Sequence, residues 1–242
     1  MSIAEVTSPD TLTKALSQKI QQEHYCLLKN IIKTWNLSSS DWQTFQDSWK
    51  NLPKDNYMAD GGCYRFRRFQ VFSSDSKNPE LRINPDQPHY QSSTYNPLNG
   101  DVYRYYEPFL KTTLNNSIFQ TLMDQIIRVF NSFYQDVRWH VEAHQFRVVA
   151  DQYQLGYPTP EGLHRDGRTY LFILLVNKAN VFGGETTLYH DDGTLLEKSV
   201  LDIGDAIFLD DRILKHAVTP IASEDQQSPA YRDTLVITFD VL

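Results

Sequence analysis

Residues 169–177 read TYLFILLVN, and this stretch decides the fold class. The run is almost uninterruptedly apolar and short, which is typical of a strand that is buried on both faces. Other short segments rich in β-branched and aromatic residues precede and follow it, separated by turns that contain Gly, Asp and Pro. Their spacing predicts an antiparallel sandwich or barrel. These segments are 139–150, 185–190, 205–210, 212–220 and 234–242.

Helical periodicity is confined to the first half of the chain. Ser8-Pro9 is typical of a helix start, and apolar residues follow at helical spacing as far as Trp35. A second helix is predicted to begin near residues 39–40, and a third to span 116–134. Each carries its apolar residues on one face, so we interpret all three as helices that pack against the β-rich half.

The remaining part of the first half contains one strand and a long connection. Between Tyr57 and Phe72 aromatic and Arg residues alternate (YRFRRFQVF), which predicts a strand. Residues 73–107 are rich in Ser, Asn, Pro and Tyr without a clear period, which predicts a structured loop of the kind that often covers a site. We therefore expect an α+β, mainly β fold in a single domain over 1–242. Residues 1–138 would form a helical and loop-rich support with one or more strands, and 139–242 the β core.

The composition excludes several classes of function. The formal net charge is -7, so the chain offers no basic face for nucleic acid. No apolar run approaches the roughly 18 residues of a membrane span, and the first residues, MSIAEVTSPDTL, lack the features of a signal peptide, so we expect a cytoplasmic protein without a membrane partner. Cys26 and Cys63 fit no metal or redox spacing, and Cys26, in a stretch predicted to be helical, is expected to be buried. The sequence predicts no oligomeric state.

Three His-x-acid pairs occur in the chain, and in an extended segment such a pair points two potential metal ligands to the same side. With 7 His and 30 acidic residues, about one pair is expected by chance. His190-x-Asp192 precedes the turn signal DDGT and is expected on an exposed hairpin. His140-x-Glu142 lies inside a predicted strand, but no partner pattern singles it out. Spacing alone does not choose among the three.

The surroundings of His164-x-Asp166 are more informative. The pair stands between a Gly- and Pro-rich loop, LGYPTPEG, and the apolar strand 169–177, and sites are often built at such loop mouths. His216, in LKHAVTP, lies between a strand and a turn marked by Pro and offers a third ligand. Two imidazoles and one carboxylate on one face of an octahedral ion leave three open positions, an arrangement that suits non-haem Fe(II) and its use of dioxygen.

The order of motifs resembles that of the Fe(II)/2-oxoglutarate-dependent dioxygenases, which have a double-stranded β-helix core, also described as jelly-roll or cupin-like. The motifs are His164-x-Asp166, FGGETTLY (182–189), IGDAIFLDD (203–211), KHAVTP with His216, and YRDTLVITF with Arg232. Within that superfamily the series looks most like the bacterial free-amino-acid hydroxylases of the isoleucine-dioxygenase type. The resemblance covers about residues 139–242, and the first hundred residues match only weakly.

The resemblance implies roles for the cofactors and for several residues. The cofactor would be Fe(II), with 2-oxoglutarate and O2 as co-substrates. His164, Asp166 and His216 would be the iron ligands, and Arg232 would pair with the distal carboxylate of 2-oxoglutarate, to which a guanidinium offers a planar two-pronged fork. A simple surface pair of Arg232 with Asp233 is the alternative. Because a carboxylate occupies the position that related halogenases leave empty for chloride, the resemblance favours hydroxylation.

The same resemblance suggests residues that line the pocket. Gln145 and Arg147 share one face of their strand and would line the 2-oxoglutarate or substrate pocket, although a structural pair is an alternative. In YRFRRF, Arg68 aligns best with the residue that would bind a substrate carboxylate, whereas acceptors for a substrate ammonium group are not ranked by the sequence. The implied substrate is a small molecule, above all a free L-amino acid. A peptide or protein hydroxylase and a non-catalytic β-helix binding protein remain alternatives.

Overall fold

The computed structural model describes residues 9–225 and 227–242. The helices in these residues are α1 (Pro9–Glu23), α2 (Ile31–Thr34), α3 (Ser39–Asp47), α4 (Lys111–Leu114) and α5 (Ser117–Asn131). The strands are β1 (Tyr25–Leu28), β2 (Arg65–Asp75), β3 (Asn78–Ile83), β4 (Arg138–Ala150), β5 (Tyr170–Ala179), β6 (Val181–Gly183), β7 (Glu185–Tyr189), β8 (Leu195–Val200), β9 (Ala206–Asp210), β10 (Lys215–Val218), β11 (Ile221–Ser223) and β12 (Ala230–Val241).

Seven strands form the major sheet, in the order β1-β9-β5-β12-β4-β2-β3 with antiparallel pairing throughout. A smaller sheet, β10-β7-β8, and the pair β11-β6 complete the fold. Side chains of the major sheet and of β7 and β10 line the same cavity, so the two sheets face each other. This arrangement confirms the mainly β, double-stranded β-helix fold that the motif order implied.

Strand β5 is buried on both faces, which explains its uninterrupted apolar run. Phe172 and Leu174 belong to a cluster that contains Phe130 of α5, so this face packs against the helices. Ile173 belongs to a second cluster with Leu188 of the smaller sheet, so the other face packs inside the sandwich. The helices thus cover the outer face of the major sheet, as their apolar faces predicted.

The first helix ends earlier than its periodicity predicted. Helix α1 stops at Glu23, His24 adopts a positive φ of 65°, and the following residues form β1, which pairs with β9. Cys26 is therefore buried in a strand and not in a helix, and burial raises the pKa of its thiol to about 12. Ser8, the predicted cap, lies outside the described residues. Pairing with the edge of the major sheet overrides the helical pattern here.

Two other boundaries differ from the predictions. The strand expected between Tyr57 and Phe72 runs from Arg65 to Asp75, and residues 73–107, expected to be a loop, contain β3, which pairs with β2 at the edge of the sheet. The third helix is shorter than expected, and Asn116 caps its N-terminus. None of the described helices is long and apolar enough to cross a membrane.

Candidate metal centre and adjoining cavity

The structure brings His164, Asp166 and His216 together, with one potential ligand atom of each within 4.8 Å of the others. His216 lies on β10, and an isolated bridge joins its backbone to that of His164 through hydrogen bonds of 2.9 and 3.1 Å. His164 Nε2 lies 3.5 Å from Asp166 Oδ1. The loop that precedes β5 is thus hydrogen-bonded to the smaller sheet at His216, the third candidate ligand.

The two histidines have different electrostatic environments. His164 Nδ1 donates to the Gly162 carbonyl oxygen at 2.9 Å, which leaves Nε2 directed at the acidic groups. Burial alone would lower the pKa of His164, but the hydrogen bond to Asp166 and the charge of Glu161 raise it to about 9. Burial, followed by the charge of His164, lowers the pKa of His216 to about 3. Burial would raise the pKa of Asp166, but His164 and His216 hold it well below its usual range.

This donor set fits a divalent iron ion. At neutral pH Asp166 is ionised and His216 is a neutral imidazole, the form that binds metal. The Nδ1 atom of His216 is buried and finds no hydrogen-bond partner in the described part of the chain. Two imidazoles and one carboxylate in this compact arrangement match the donor set of non-haem Fe(II) oxygenases.

Two side chains that sequence reasoning missed hold Asp166 in place. Asp211, at the end of IGDAIFLDD, accepts hydrogen bonds from the backbone N–H groups of Asp166 and Arg168 at 3.1 and 2.8 Å. Burial, and then the charge of Asp166, raise the pKa of Asp211 to about 7. Gln91, from the segment that was expected to be a loop, donates from Nε2 to Asp166 Oδ1 at 3.1 Å. Asp211 therefore holds the backbone of the candidate ligand Asp166, and Gln91 orients its carboxylate.

Arg232 lines the cavity beside these three residues. It is only 5 % exposed, and among residues 9–225 and 227–242 we find no hydrogen bond or ion pair to its guanidinium. Burial lowers the pKa of Arg232 to about 10, so the side chain stays protonated at neutral pH. A buried, unpaired cation that faces a cavity is a site for an anion.

The structure does not bring Gln145 and Arg147 to the cavity. On β4, the side chains of His144, Phe146 and Val148 line it, so the odd-numbered neighbours point to the opposite face. Gln145 donates to Ser48 Oγ at 2.9 Å. Arg147 forms a two-pronged ion pair with Asp233, with both distances 2.7 Å. Both residues thus form structural contacts, which was the alternative given with the prediction, and neither lines the pocket.

Replacing Arg147 with Gln is expected to lower the free energy of unfolding by about 3 kcal/mol, because it leaves the buried Asp233 carboxylate without its partner. The guanidinium also loses its position 4.4 Å from the centre of the Tyr231 ring. The KM for 2-oxoglutarate should stay unchanged. Urea unfolding and steady-state kinetics measure the two effects. Arg128→Gln, which breaks an exposed pair on α5, is the control and should have almost no effect on stability.

Arg68 also lies away from the cavity. It donates to the Pro108 carbonyl oxygen at 2.9 Å and is 3.7 Å from Glu107. Arg67, the residue before it, and Arg65, three residues before it, line the cavity instead. The structure therefore does not place Arg68, the residue that the resemblance suggested, at the cavity; the arginines of this strand that line it are on the other face of β2.

A second cluster of potential ligands is formed by His89, Glu142 and His144. Glu142 Oε2 already accepts hydrogen bonds from His89 Nδ1 and Arg168 Nη2, both at 2.9 Å. The Nδ1 atom of His144 lies 2.5 Å from Arg67 Nη2. Because protein donors occupy these atoms and two guanidinium groups lie beside them, this cluster is a poor cation site. It forms a polar wall of the cavity.

The fold and the triad define a non-haem iron dioxygenase. The chain belongs to the 2OG-Fe dioxygenase family, whose model matches residues 46–238. Fe(II) is therefore its cofactor, and 2-oxoglutarate its co-substrate.

Two characterised relatives and one crystal structure are similar to the chain over most of its length. It is 26% identical over 202 residues to 3(1)-hydroxy-L-isoleucine 4-dioxygenase of Pantoea ananatis (strain AJ13355), covering 81% of this chain and 80% of that protein. It is 25% identical over 200 residues to L-isoleucine-4-hydroxylase of Bacillus thuringiensis, with 78% of each chain covered. The crystal structure of a BsmA homologue from Methylobium petroleophilum PM1 superposes with a TM-score of 0.85 at 27% identity, covering 94% of this chain and 92% of that one.

Proposed function

We propose that the protein hydroxylates a free L-amino acid, with release of succinate and CO2 from 2-oxoglutarate. The names of the two curated relatives support an amino acid of the isoleucine type. The observation that carries the proposal is that the cavity beside the triad is covered. Gln91 reaches Asp166, and the ring of Tyr95 lies so close to Gly167 that a Cβ atom there would be 2.4 Å from it. A partly enclosed cavity suits a small molecule.

In this proposal His164, Asp166 and His216 hold the Fe(II), and Arg232 binds the distal carboxylate of 2-oxoglutarate. The bound iron, together with 2-oxoglutarate and O2, supplies the oxidant for an unactivated C–H bond. The protein orients the reactants and excludes water. Asp211 holds the backbone of Asp166, Gln91 orients its carboxylate, and Ile173 and Val236 add apolar walls. Arg232 compensates a charge that 2-oxoglutarate would otherwise bury unpaired.

The alternatives have less support. A peptide or protein hydroxylase would need an open groove, whereas His164 and His216 are buried and the segment that carries Gln91 and Tyr95 lies over the site. A non-catalytic binding protein does not fit a chain of this enzyme family that retains the complete ligand set. We also infer that residues 1–242 form one dioxygenase domain, because strands from the first half of the chain lie at both edges of the major sheet, next to strands from the second half.

The direct test is succinate formation with Fe(II), ascorbate and 2-oxoglutarate, with each free L-amino acid added singly and with 3(1)-hydroxy-L-isoleucine included. Stimulation by one or a few aliphatic amino acids supports the proposal and identifies the substrate class. If no amino acid stimulates and only slow turnover without substrate is found, the free-amino-acid assignment is wrong, and the search moves to peptides.

Metal binding is expected to release one proton, because the pKa of His164 is about 9 in the metal-free protein. Below that pH the imidazole is protonated and the metal has to displace the proton, whereas Asp166 is already ionised and His216 already neutral. The apparent affinity for Co(II), an air-stable substitute, should therefore rise about tenfold per pH unit between about pH 6 and 8. Calorimetric titration at several pH values measures this slope, and an affinity independent of pH would contradict it.

A further inference from the structure

One end of the cavity holds three buried guanidinium groups but only one carboxylate to balance them. Arg65 Nε lies 2.8 Å from Asp55 Oδ2, and Arg67 Nη1 lies 3.8 Å from the same oxygen. Arg104 is 2 % exposed and has no acidic partner in residues 9–225 or 227–242. Since the pair of Arg65 with Asp55 is the shorter one, Arg67 and Arg104 are left as a positive excess.

The other groups that face these two side chains are neutral. The guanidinium of Arg67 lies between two rings, 3.9 Å from the centre of Tyr106 and 4.5 Å from that of Phe146. Burial, and next the charge of Arg67, hold the pKa of His144 well below its usual range, and burial lowers the pKa of His89 to about 4. Neither imidazole is a cation at neutral pH, and neither can neutralise one.

Arg104 is connected to Asp166 by two hydrogen bonds through the side chain of Gln91. Its Nη2 donates to Gln91 Oε1 at 3.0 Å, and Gln91 Nε2 donates to Asp166 Oδ1 at 3.1 Å. The Nε atoms of both Arg67 and Arg104 are buried, and no described residue accepts a hydrogen bond from them. The excess charge therefore lies next to the candidate iron site and keeps unused hydrogen-bonding capacity.

We propose that Arg67 and Arg104 form the subsite that binds the α-carboxylate of the substrate. A carboxylate would supply the missing negative charge and accept charge-assisted hydrogen bonds from both guanidinium groups. This inference rests on the proposed amino-acid hydroxylase function, because it takes the anion to be part of the molecule that is oxidised.

The subsite is distinct from the one assigned to 2-oxoglutarate. In the major sheet Val148 of β4 pairs with Arg232 of β12 on one side and with Arg65 of β2 on the other. Arg65 therefore lies two strands from Arg232, about 10 Å between backbones, and Arg67, two residues further along β2, lies about 12 Å from it. Two anion sites at this separation beside one metal centre fit two different carboxylates, one from the co-substrate and one from the substrate.

The experiment uses the amino acid that stimulates succinate formation most strongly, together with its carboxamide, which keeps the side chain and the amine but lacks the charge. With the wild-type protein, the carboxamide should have a KM about 30-fold higher than the amino acid. Arg67→Gln and Arg104→Gln should each raise the KM for the amino acid about 30-fold and remove most of the preference over the carboxamide. The KM for 2-oxoglutarate should remain within about twofold of wild type.

Arg68→Gln is the matched control, because it removes a neighbouring guanidinium on the opposite face of β2. It should leave the KM for the amino acid and the KM for 2-oxoglutarate unchanged. Calorimetric titration of the amino acid into each anaerobic, 2-oxoglutarate-loaded protein gives the same comparison without turnover. If Arg67→Gln does not fold, as its melting curve would show, Arg104→Gln and the wild-type comparison with the carboxamide decide the question.

The outcomes distinguish a wrong subsite from a wrong proposed function. If an amino acid stimulates turnover but the carboxamide serves equally well, or both Arg variants keep the wild-type preference, the subsite is wrong and the hydroxylase function stands. If no amino acid stimulates the wild-type protein, the proposed function fails and the subsite assignment falls with it.

Discussion

Replacing Asp166 with Ala is expected to lower iron- and 2-oxoglutarate-dependent turnover by about 10³-fold or more. The carboxylate is the one anionic ligand of the proposed triad, and it lies between His164 and Gln91, so its loss removes a metal ligand and a negative charge together. Calorimetric titration with Co(II) should show a parallel loss of metal affinity. Succinate formation measures the loss of turnover.

His190→Ala is the control for this variant. His190 belongs to another His-x-acid pair, but it lies at the hairpin between β7 and β8. Its backbone N–H donates to the Thr194 carbonyl oxygen, and its ring contacts that of His24. Its removal should leave turnover near the wild-type value. An Asp166→Ala protein that kept full iron-dependent turnover would overturn the site, as would a His216→Ala protein with normal activity.

Replacing Arg232 with Gln is expected to raise the KM for 2-oxoglutarate about 100-fold, equivalent to about 3 kcal/mol. The guanidinium is buried, and no partner among the described residues competes for it. Its removal would therefore leave the distal carboxylate of 2-oxoglutarate without the cation that β12 supplies. Arg232→Lys should recover part of the affinity, because it restores the charge but not the two-pronged geometry. Initial rates at varied 2-oxoglutarate concentration give the constants.

Arg147→Gln is the informative comparison for Arg232, since both residues are arginines near the same end of the major sheet and both were expected at the pocket. Arg147 is paired with Asp233 on the outer face, so its variant should lose stability without a change in the KM for 2-oxoglutarate. If the KM for 2-oxoglutarate rises in Arg147→Gln and not in Arg232→Gln, Arg232 is not the residue that binds its distal carboxylate.

The fold class and the three candidate ligands could be predicted from the sequence, each for a physical reason. Strand β5 is covered on both faces, so its apolar run identifies it directly. His164 and Asp166 stand two residues apart in one loop, and His216 lies in a short motif, so local sequence identifies all three. The backbone bridge between residues 164 and 216 then depends on the sandwich topology that the strand pattern indicated.

The direction of side chains on the central strands could not be predicted in the same way. Most residues of β2 are buried on both faces, so alternation does not tell which arginines face the cavity, and Arg68 was suggested only by the resemblance. The same ambiguity on β4 placed Gln145 and Arg147 at the pocket. A shift of one residue reverses the face of every side chain on a strand, and only the tertiary register resolves it.

The residues that support the site were missed because their partners are distant in sequence. Gln91 meets Asp166 across 75 positions, and Asp211 meets it across 45. Arg104 lies in a segment without periodicity, where no local signal marks a buried charge. The motif IGDAIFLDD, which ends at Asp211, contributes to the family resemblance, but nothing in its composition shows that its last carboxylate accepts two backbone hydrogen bonds.

The central claim is that the triad hydroxylates a free amino acid at the expense of 2-oxoglutarate. It is tested most directly by measuring succinate and hydroxylated amino acid together by mass spectrometry, in wild type and in Asp166→Ala, with the amino acid that stimulates most. The account predicts equimolar amounts of the two products in the wild type and neither above background in the variant. Succinate that forms without any oxygenated amino acid, or products that persist in Asp166→Ala, would contradict it.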